Sequence, residues 1–239
     1  MKLKNLLALL VTLLLALAII LTLNNNTLFP AFGDVDLADR VSGQYLDSAQ
    51  IDEIGAANIV TAIVVGFRGF DTLGEVTVLF ISSLGVALLF GASRKQKRLD
   101  ADFSPNFMLR VGSRVLFGVI LTVGLYIILH GHLTPGGGFP GGTMIASAIL
   151  LLYLADDQFR AKIKGFKILE SASGSLYVVI GLLGLVLATY FLQNFLPAGT
   201  VGNLLSAGIF PILYILIGLK VGSEISGIID NFLTEEDAK

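Results

Sequence analysis

Leu6–Leu23 is a nearly unbroken apolar run of 18 residues, and five further stretches approach that length. About 20 apolar residues are what an α-helix needs to cross the hydrocarbon core of a bilayer. In lipid there is no water to satisfy backbone amides and carbonyls, and an α-helix pairs them within its own segment. The expected fold is therefore an all-α integral membrane protein. A mean hydropathy of +0.83 and only 14% charged residues agree with it.

Six spans are expected: Leu6–Leu23, Thr72–Gly91, a third ending near His130, Gly141–Ala155, Ile168–Leu192 and Leu204–Ser223. The first follows Lys2 and Lys4 like a signal peptide. Its length and the lack of a small-x-small cleavage site favour a retained span. Ile54–Val65 is too short to cross alone and ends in Gly66-Phe67-Arg68-Gly69-Phe70-Asp71, so a short broken or re-entrant helical segment is expected there. Between the first span and this segment lies an acidic stretch, Asn24–Glu53.

Charge gives the orientation. With both termini cytoplasmic, twelve of the 16 lysines and arginines cluster on one side: Lys2, Lys4, Arg94, Lys95, Lys97, Arg98, Arg110, Arg114, Arg160, Lys162, Lys164 and Lys167. Lys239 and Lys220, read as the end of the last span, join them, leaving Arg40 and Arg68 toward the other face. This is the positive-inside pattern. The basic stretch near Arg94 is thus a topology signal and not a nucleic-acid surface. It also marks a division into residues 1–104 and 105–239, the second a compact four-helix unit.

One interruption stands out. His130-Gly131-His132-Leu133-Thr134-Pro135-Gly136-Gly137-Gly138-Phe139-Pro140-Gly141-Gly142 separates spans three and four and holds both histidines. Glycine and proline together forbid a continuous helix through it. Such a break is either a plain turn outside the membrane or the lining of a polar cavity. The histidines can sit solvated at the interface, or relay protons, since imidazole titrates near neutrality. Pro135, Gly136, Gly137, Gly138, Pro140, Gly141 and Gly142 can bring a backbone close to an ion at the start of span four, or serve helix packing.

Charges in apolar helices are costly and point to function unless explained otherwise. Thr72-Leu73-Gly74-Glu75 reads as a capping box with Asp71 sharing the role; Glu75 can equally lie beside an ion path. Arg68, three residues before Asp71, is its expected partner. Lys220 and Glu224 stand four apart, with Lys220 expected to snorkel to the interface rather than to be buried. Glu170 is expected to cap or flank span five. With no cysteine, two histidines, no phosphate-binding glycine loop and no nucleophile–base set, nothing indicates an enzyme, a metal site or a cofactor.

The glycine-rich segment from His130 to Gly142 resembles the signature of the B-type component of Mrp/Mnh multisubunit sodium/proton antiporters, departing from it at Pro140, where relatives carry a polar residue. Gly202-Asn203-Leu204-Leu205-Ser206-Ala207-Gly208 and Gly218-Leu219-Lys220-Val221-Gly222-Ser223-Glu224 are similar to its hydrogenase-type version, over residues 105–239. Asn58 to Glu75 resembles the C-terminal end of the large A-type component of the same antiporters, with Gly66 where many relatives have an acid. The resemblance implies a fusion of two neighbouring small subunits, non-catalytic by itself, in a complex I-related hydrogenase or sulfur-reducing assembly. The implied partners are other small antiporter-type subunits, large complex I-like antiporter subunits, the lipid bilayer and sodium ions or protons. The ion-path candidates are Asp71, Glu75, His130, His132, Lys220 and Glu224. A purely structural adaptor sealing the membrane arm is the alternative.

Overall fold

The computed structural model describes residues 3–24, 41–48, 54–90, 96–98, 105–156, 159, 161 and 163–236. Most of the acidic stretch 24–53, the basic residues Lys2, Arg94, Lys95, Arg160 and Lys162, and the last three residues lie outside these. The chain divides into two compact units, Met1–Ser48 and Ala49–Lys239. The first contains α1 (Leu3–Leu23), exposed along its length, and the short α2 (Val41–Ser48).

The second unit begins with α3 (Ile59–Thr61), which runs directly into a π-helical turn over Ala62–Phe67. Then come α4 (Gly69–Phe90), α5 (Phe107–Leu129), α6 (Gly138–Ala155), α7 (Ile163–Leu187) and α8 (Phe210–Leu233). Gln96–Arg98 pairs antiparallel with Thr234–Glu236, a three-residue ladder that ties the chain beyond α4 to the end of α8. Among the described residues six helices, α1 and α4 to α8, are long and apolar enough to cross a membrane, as expected. The interruption at Gly66–Asp71 is also present: the π turn closes with the Arg68 amide donating to the Ile63 carbonyl at 2.9 Å.

α8 lies at the centre, packed against α4, α5, α6 and α7. Its Leu213, Ile217 and Val221 are buried. Apolar burial does not drive helices together in lipid, so close van der Waals approach must. Glycine provides it. A methyl on Gly142 of α6 would stand 2.8 Å from the Gly218 carbonyl oxygen and 2.9 Å from Val221 Cβ, both on α8. On the neighbouring face of α6, a methyl on Gly141 would stand 2.8 Å from the Gly124 carbonyl of α5. At the opposite end of α6, Asp156 accepts from Arg114 Nη2 of α5 at 2.8 Å.

Two helices end differently from the hydropathy expectation. α7 starts at Ile163 and stops at Leu187, not Leu192, because the chain turns back on itself. The Gln193 side chain accepts from the Thr189 and Tyr190 amides at 2.7 and 2.9 Å, and the Leu192 amide donates to Gly181. α8 starts at Phe210, because Asn203 to Gly208 forms turns, and runs to Leu233, ten residues past the expected end. Its polar second half is helical because neighbouring helices, not lipid, surround it.

Candidate functional site

The glycine-rich break is a tightly bonded backbone knot. Asn58 caps α3, accepting from the Val60 amide at 3.1 Å. Its own side-chain amide donates to the Gly131 and Thr134 carbonyls at 2.8 and 3.0 Å, and its backbone amide to the His132 carbonyl at 3.0 Å. Buried Thr61 adds a hydroxyl bond to Gly131 at 2.7 Å and receives one from Tyr214 of α8, also at 2.7 Å. The break thereby joins α3, α5, α6 and α8. Gly137, at φ +133°, holds a backbone conformation that side chains disfavour, and a methyl on it would stand 3.0 Å from the Tyr214 ring. Asn58, Thr61 and Tyr214 carry no sequence signal beyond polarity within apolar surroundings, and sequence reasoning did not single them out as a set.

The two histidines separate. The His130 ring stacks on Tyr126 with centroids 4.2 Å apart and its Nδ1 lies 3.2 Å from the Tyr126 carbonyl. His132 is fully buried, with Nε2 3.4 Å from the Asn203 carbonyl. Its Nδ1 has no partner among the described residues, nor has the buried Ser206 hydroxyl nearby in the same turn system. Burial lowers the His132 pKa, the Asn203 carbonyl opposes this, and His130 adds a smaller lowering. His132 is thus an enclosed imidazole whose charged form burial disfavours, and not the solvated one of the simplest reading.

Arg68 and Asp71 form the expected ion pair, with Nη2 to Oδ2 at 2.6 Å and Nε to Oδ2 at 2.7 Å. Both side chains are more than half exposed in this chain. The capping box at Thr72 and Glu75 is not formed. α4 already starts at Gly69, placing Thr72 inside it, and the Thr72 hydroxyl reaches back to the Val64 carbonyl at 3.3 Å. The π turn, invisible to a capping rule, sets that earlier start. Glu75 is exposed on the second turn of α4, close enough to Tyr177 of α7 to act on it electrostatically.

The largest departure is at Lys220. It does not snorkel. It sits mid-way along α8, buried, with Nζ 2.7 Å from Glu224 Oε1 and 5.0 Å from the Phe80 ring centroid of α4. Gly174 of α7 leaves room for its stem. Because α8 extends ten residues beyond the apolar run, the helix end that Lys220 was to reach is too far away. Glu224 is completely buried, and its Oε2 has no hydrogen-bond donor among the described residues. Glu170, expected to cap α7, lies instead in its second turn, close enough to Glu224 to act on it electrostatically. One helical turn or two beyond Glu224, Asp230 accepts from the Tyr153 hydroxyl of α6 at 2.6 Å. The candidates therefore fall into three groups: the break with both histidines, the exposed Arg68–Asp71–Glu75 face, and the buried Lys220–Glu224 pair with Glu170. Among the described residues no cluster of histidine and carboxylate side chains suits a metal ion.

A family profile described as a domain related to the MnhB subunit of Na+/H+ antiporters matches residues 108–227. The chain belongs to that family. A second profile, the MbhE component of MBH, matches residues 13–98. An uncharacterized protein of Methanocaldococcus jannaschii is 31% identical over 69% of this chain and 72% of its own length. Among solved structures, a chain of the membrane-bound sulfane sulfur reductase, an archaeal respiratory membrane complex, is 44% identical. It superposes with a TM-score of 0.83 over 98% of this chain and 100% of its own. A chain of the Mrp complex from Dietzia sp. DQ12-45-1b is 26% identical with a TM-score of 0.74, covering 100% of this chain and 27% of that one. This MnhB-related chain is accordingly a multi-pass membrane protein.

Proposed function

We propose that the chain is a membrane subunit of a multisubunit cation/proton antiporter module, contributing to sodium or proton translocation within a complex I-related hydrogenase or sulfur-reducing assembly. The observation that carries this is the Lys220–Glu224 pair buried in the centre of a membrane-length helix, in a chain whose relatives belong to the Mrp and sulfane sulfur reductase complexes. Isolated apolar helices do not retain such charges without use. Asp71, Glu75, His130, His132, Lys220 and Glu224 remain the ion-path candidates, with Arg68, Pro135, Gly136, Gly137, Gly138, Pro140, Gly141 and Gly142 as the structural break. Its partners are the other small antiporter-type subunits and the large complex I-like antiporter subunits. The chain itself is non-catalytic. Both termini are cytoplasmic, supported by the distribution of lysine and arginine. The two matched segments, 13–98 and 108–227, support descent from two subunits joined near residue 104.

The test is to replace Glu75 with Gln in the intact complex and measure sodium-driven proton movement in sealed vesicles. Lost movement with normal assembly is expected. Unchanged movement removes Glu75 from the path. The adaptor reading draws on a specific observation of its own, the glycine contacts and hydrogen bonds of the break. Replacing His130 and His132 with Asn separates the two: the adaptor reading expects activity to fall only as far as assembly does.

A further inference from the structure

Beside the buried pair, a cavity of about 220 Å³ opens between α4 and α7, lined by Phe80, Ser83, Leu84, Ala87, Lys167, Glu170 and Ser171. Glu170 is the link inward: it lines this cavity and stands one turn before Gly174, which packs on Lys220, so that on consecutive spans it lies level with Glu224, one turn beyond Lys220. Glu224 uses one oxygen for Lys220 and is left with a buried oxygen that no donor reaches. Two ionised carboxylates side by side provide only acceptors. We propose that Glu170 and Glu224 form a carboxyl pair that holds one shared proton, opposite the Lys220 ammonium and loaded from the cavity between α4 and α7.

The charges facing the pair favour this. Two carboxylates against one buried ammonium leave one negative charge over. Lys167, also on the cavity wall, is solvent-exposed and compensates it weakly. α8 adds Asp230, bound to Tyr153, the one titratable residue of α6, and Tyr214, which donates to Thr61; α7 adds the exposed Lys164 and Tyr177, which donates to the Gly69 carbonyl. α4 brings the Phe80 ring and Ser83, its carboxylates Asp71 and Glu75 lying in its first two turns. The arginines of α5, Arg110 and Arg114, are turned to Asp156. Adjacent carboxylates in low dielectric cannot both ionise cheaply, and one proton between them supplies the missing donor. A sodium ion suits the place less well, because Lys220 occupies one of the four oxygens and hard cations take about six oxygen ligands.

The pair deepens the translocation role proposed above, on which its physiological use rests, but its occupancy can be read without any transport measurement. Native membranes bearing the whole complex are treated at about pH 8 with dicyclohexylcarbodiimide, an apolar reagent for protonated carboxyls, well above the ordinary carboxylate pKa of about 4.3. The expected result is modification of Glu170 or Glu224, detected by peptide mass spectrometry and undiminished by sodium. In Glu170→Gln, which keeps the Lys220–Glu224 pair, modification of Glu224 should fall about tenfold. Glu170→Asp should retain modification. No labelling of either residue in the unaltered chain, labelling of Glu224 indifferent to Glu170→Gln, or protection by sodium each overturns the proposal. Should Glu170→Gln fail to accumulate, infrared spectra of the unaltered complex decide: a protonated-carboxyl stretch at the same pH is expected, and its absence refutes the pair. Loss of transport in Glu75→Gln with labelling absent would leave the wider role standing and remove only the carboxyl pair.

Discussion

Replacing Lys220 with Met isolates the charge of the buried pair from its packing. The Lys220 stem lies along α7, its Cδ 3.3 Å from where a methyl on Gly174 would stand, and an unbranched Met side chain fills the same groove. The ammonium and carboxylate are 2.7 Å apart, which at an effective dielectric of about 20 corresponds to roughly 6 kcal/mol of attraction. Much of that offsets the cost of removing both ions from water, and breaking one partner of a buried pair costs about 3–5 kcal/mol in practice. The Phe80 ring, 5.0 Å from Nζ, gives no help once the cation is gone.

Lys220→Met is therefore expected to lower unfolding free energy by about 3–5 kcal/mol, measured by denaturant titration of the purified chain in mixed micelles. Glu224→Gln should fall in the same direction, with Phe80 offsetting about 0.5–2 kcal/mol of the stranded cation. The double variant Lys220→Met/Glu224→Leu removes both ions and should recover most of the loss, a strongly non-additive cycle. Raising salt should change little, since buried charges are poorly screened. A loss under about 1 kcal/mol for Lys220→Met, or losses that simply add, would mean that the pair is solvated and that its buried geometry is misread.

Three further expectations concern the break and the α6–α8 contact. Burial disfavours the charged form of His132, so an unfolded chain binds more protons below about pH 6.5; its contribution to stability should be flat above that and fall as pH drops, and His132→Asn should flatten the slope in a pH-dependent melting series. Gly142→Ala places a methyl against Gly218 and Val221 and should cost about 1–3 kcal/mol by forcing α6 from α8, seen as a lowered melting temperature. Tyr214→Phe should cost about 1 kcal/mol, because Thr61 keeps its bond to Gly131, whereas Thr61→Val strands the Tyr214 hydroxyl and should cost more, up to about 3 kcal/mol in the same titration.

What could be read in advance was whatever depends on runs and interruptions. Apolar length marked six helices, the Gly66–Asp71 interruption marked a broken segment but not its π turn, and the composition of 130–142 marked a break. The Arg68–Asp71 pair followed from a spacing of three. The misreadings share one cause: each assumed that a polar residue near the end of an apolar run marks the end of the helix. Lys220 was given an interface to reach, Glu170 an end to cap and Thr72 a start to cap, and all three lie within helices. Which helix a polar side chain meets depends on bundle packing, and no local pattern encodes that the second turn of α7 lies against the middle of α8.

The polar groups on α8 then explain why the bundle has one register. Tyr214, Glu224 and Asp230 span sixteen residues, about 24 Å of helix and most of a hydrocarbon core about 30 Å thick. Tyr214 donates to Thr61 of α3 and Asp230 accepts from Tyr153 of α6, while Glu224 pairs with Lys220 on α8 itself. Leucine and isoleucine surfaces tolerate small slips at little cost, because lipid tails are as apolar as the neighbouring helix. Polar groups do not, since a slip or rotation of α8 by one residue would unpair Tyr214 from Thr61 and Asp230 from Tyr153 at once in a medium that offers no water. The glycine contacts at Gly142 and Gly218 set how closely the helices approach, and the polar contacts set where along one another they stop. The same residues that make α8 a poor hydropathy match therefore fix its position, and the buried charge pair at its centre is held between a contact on either side.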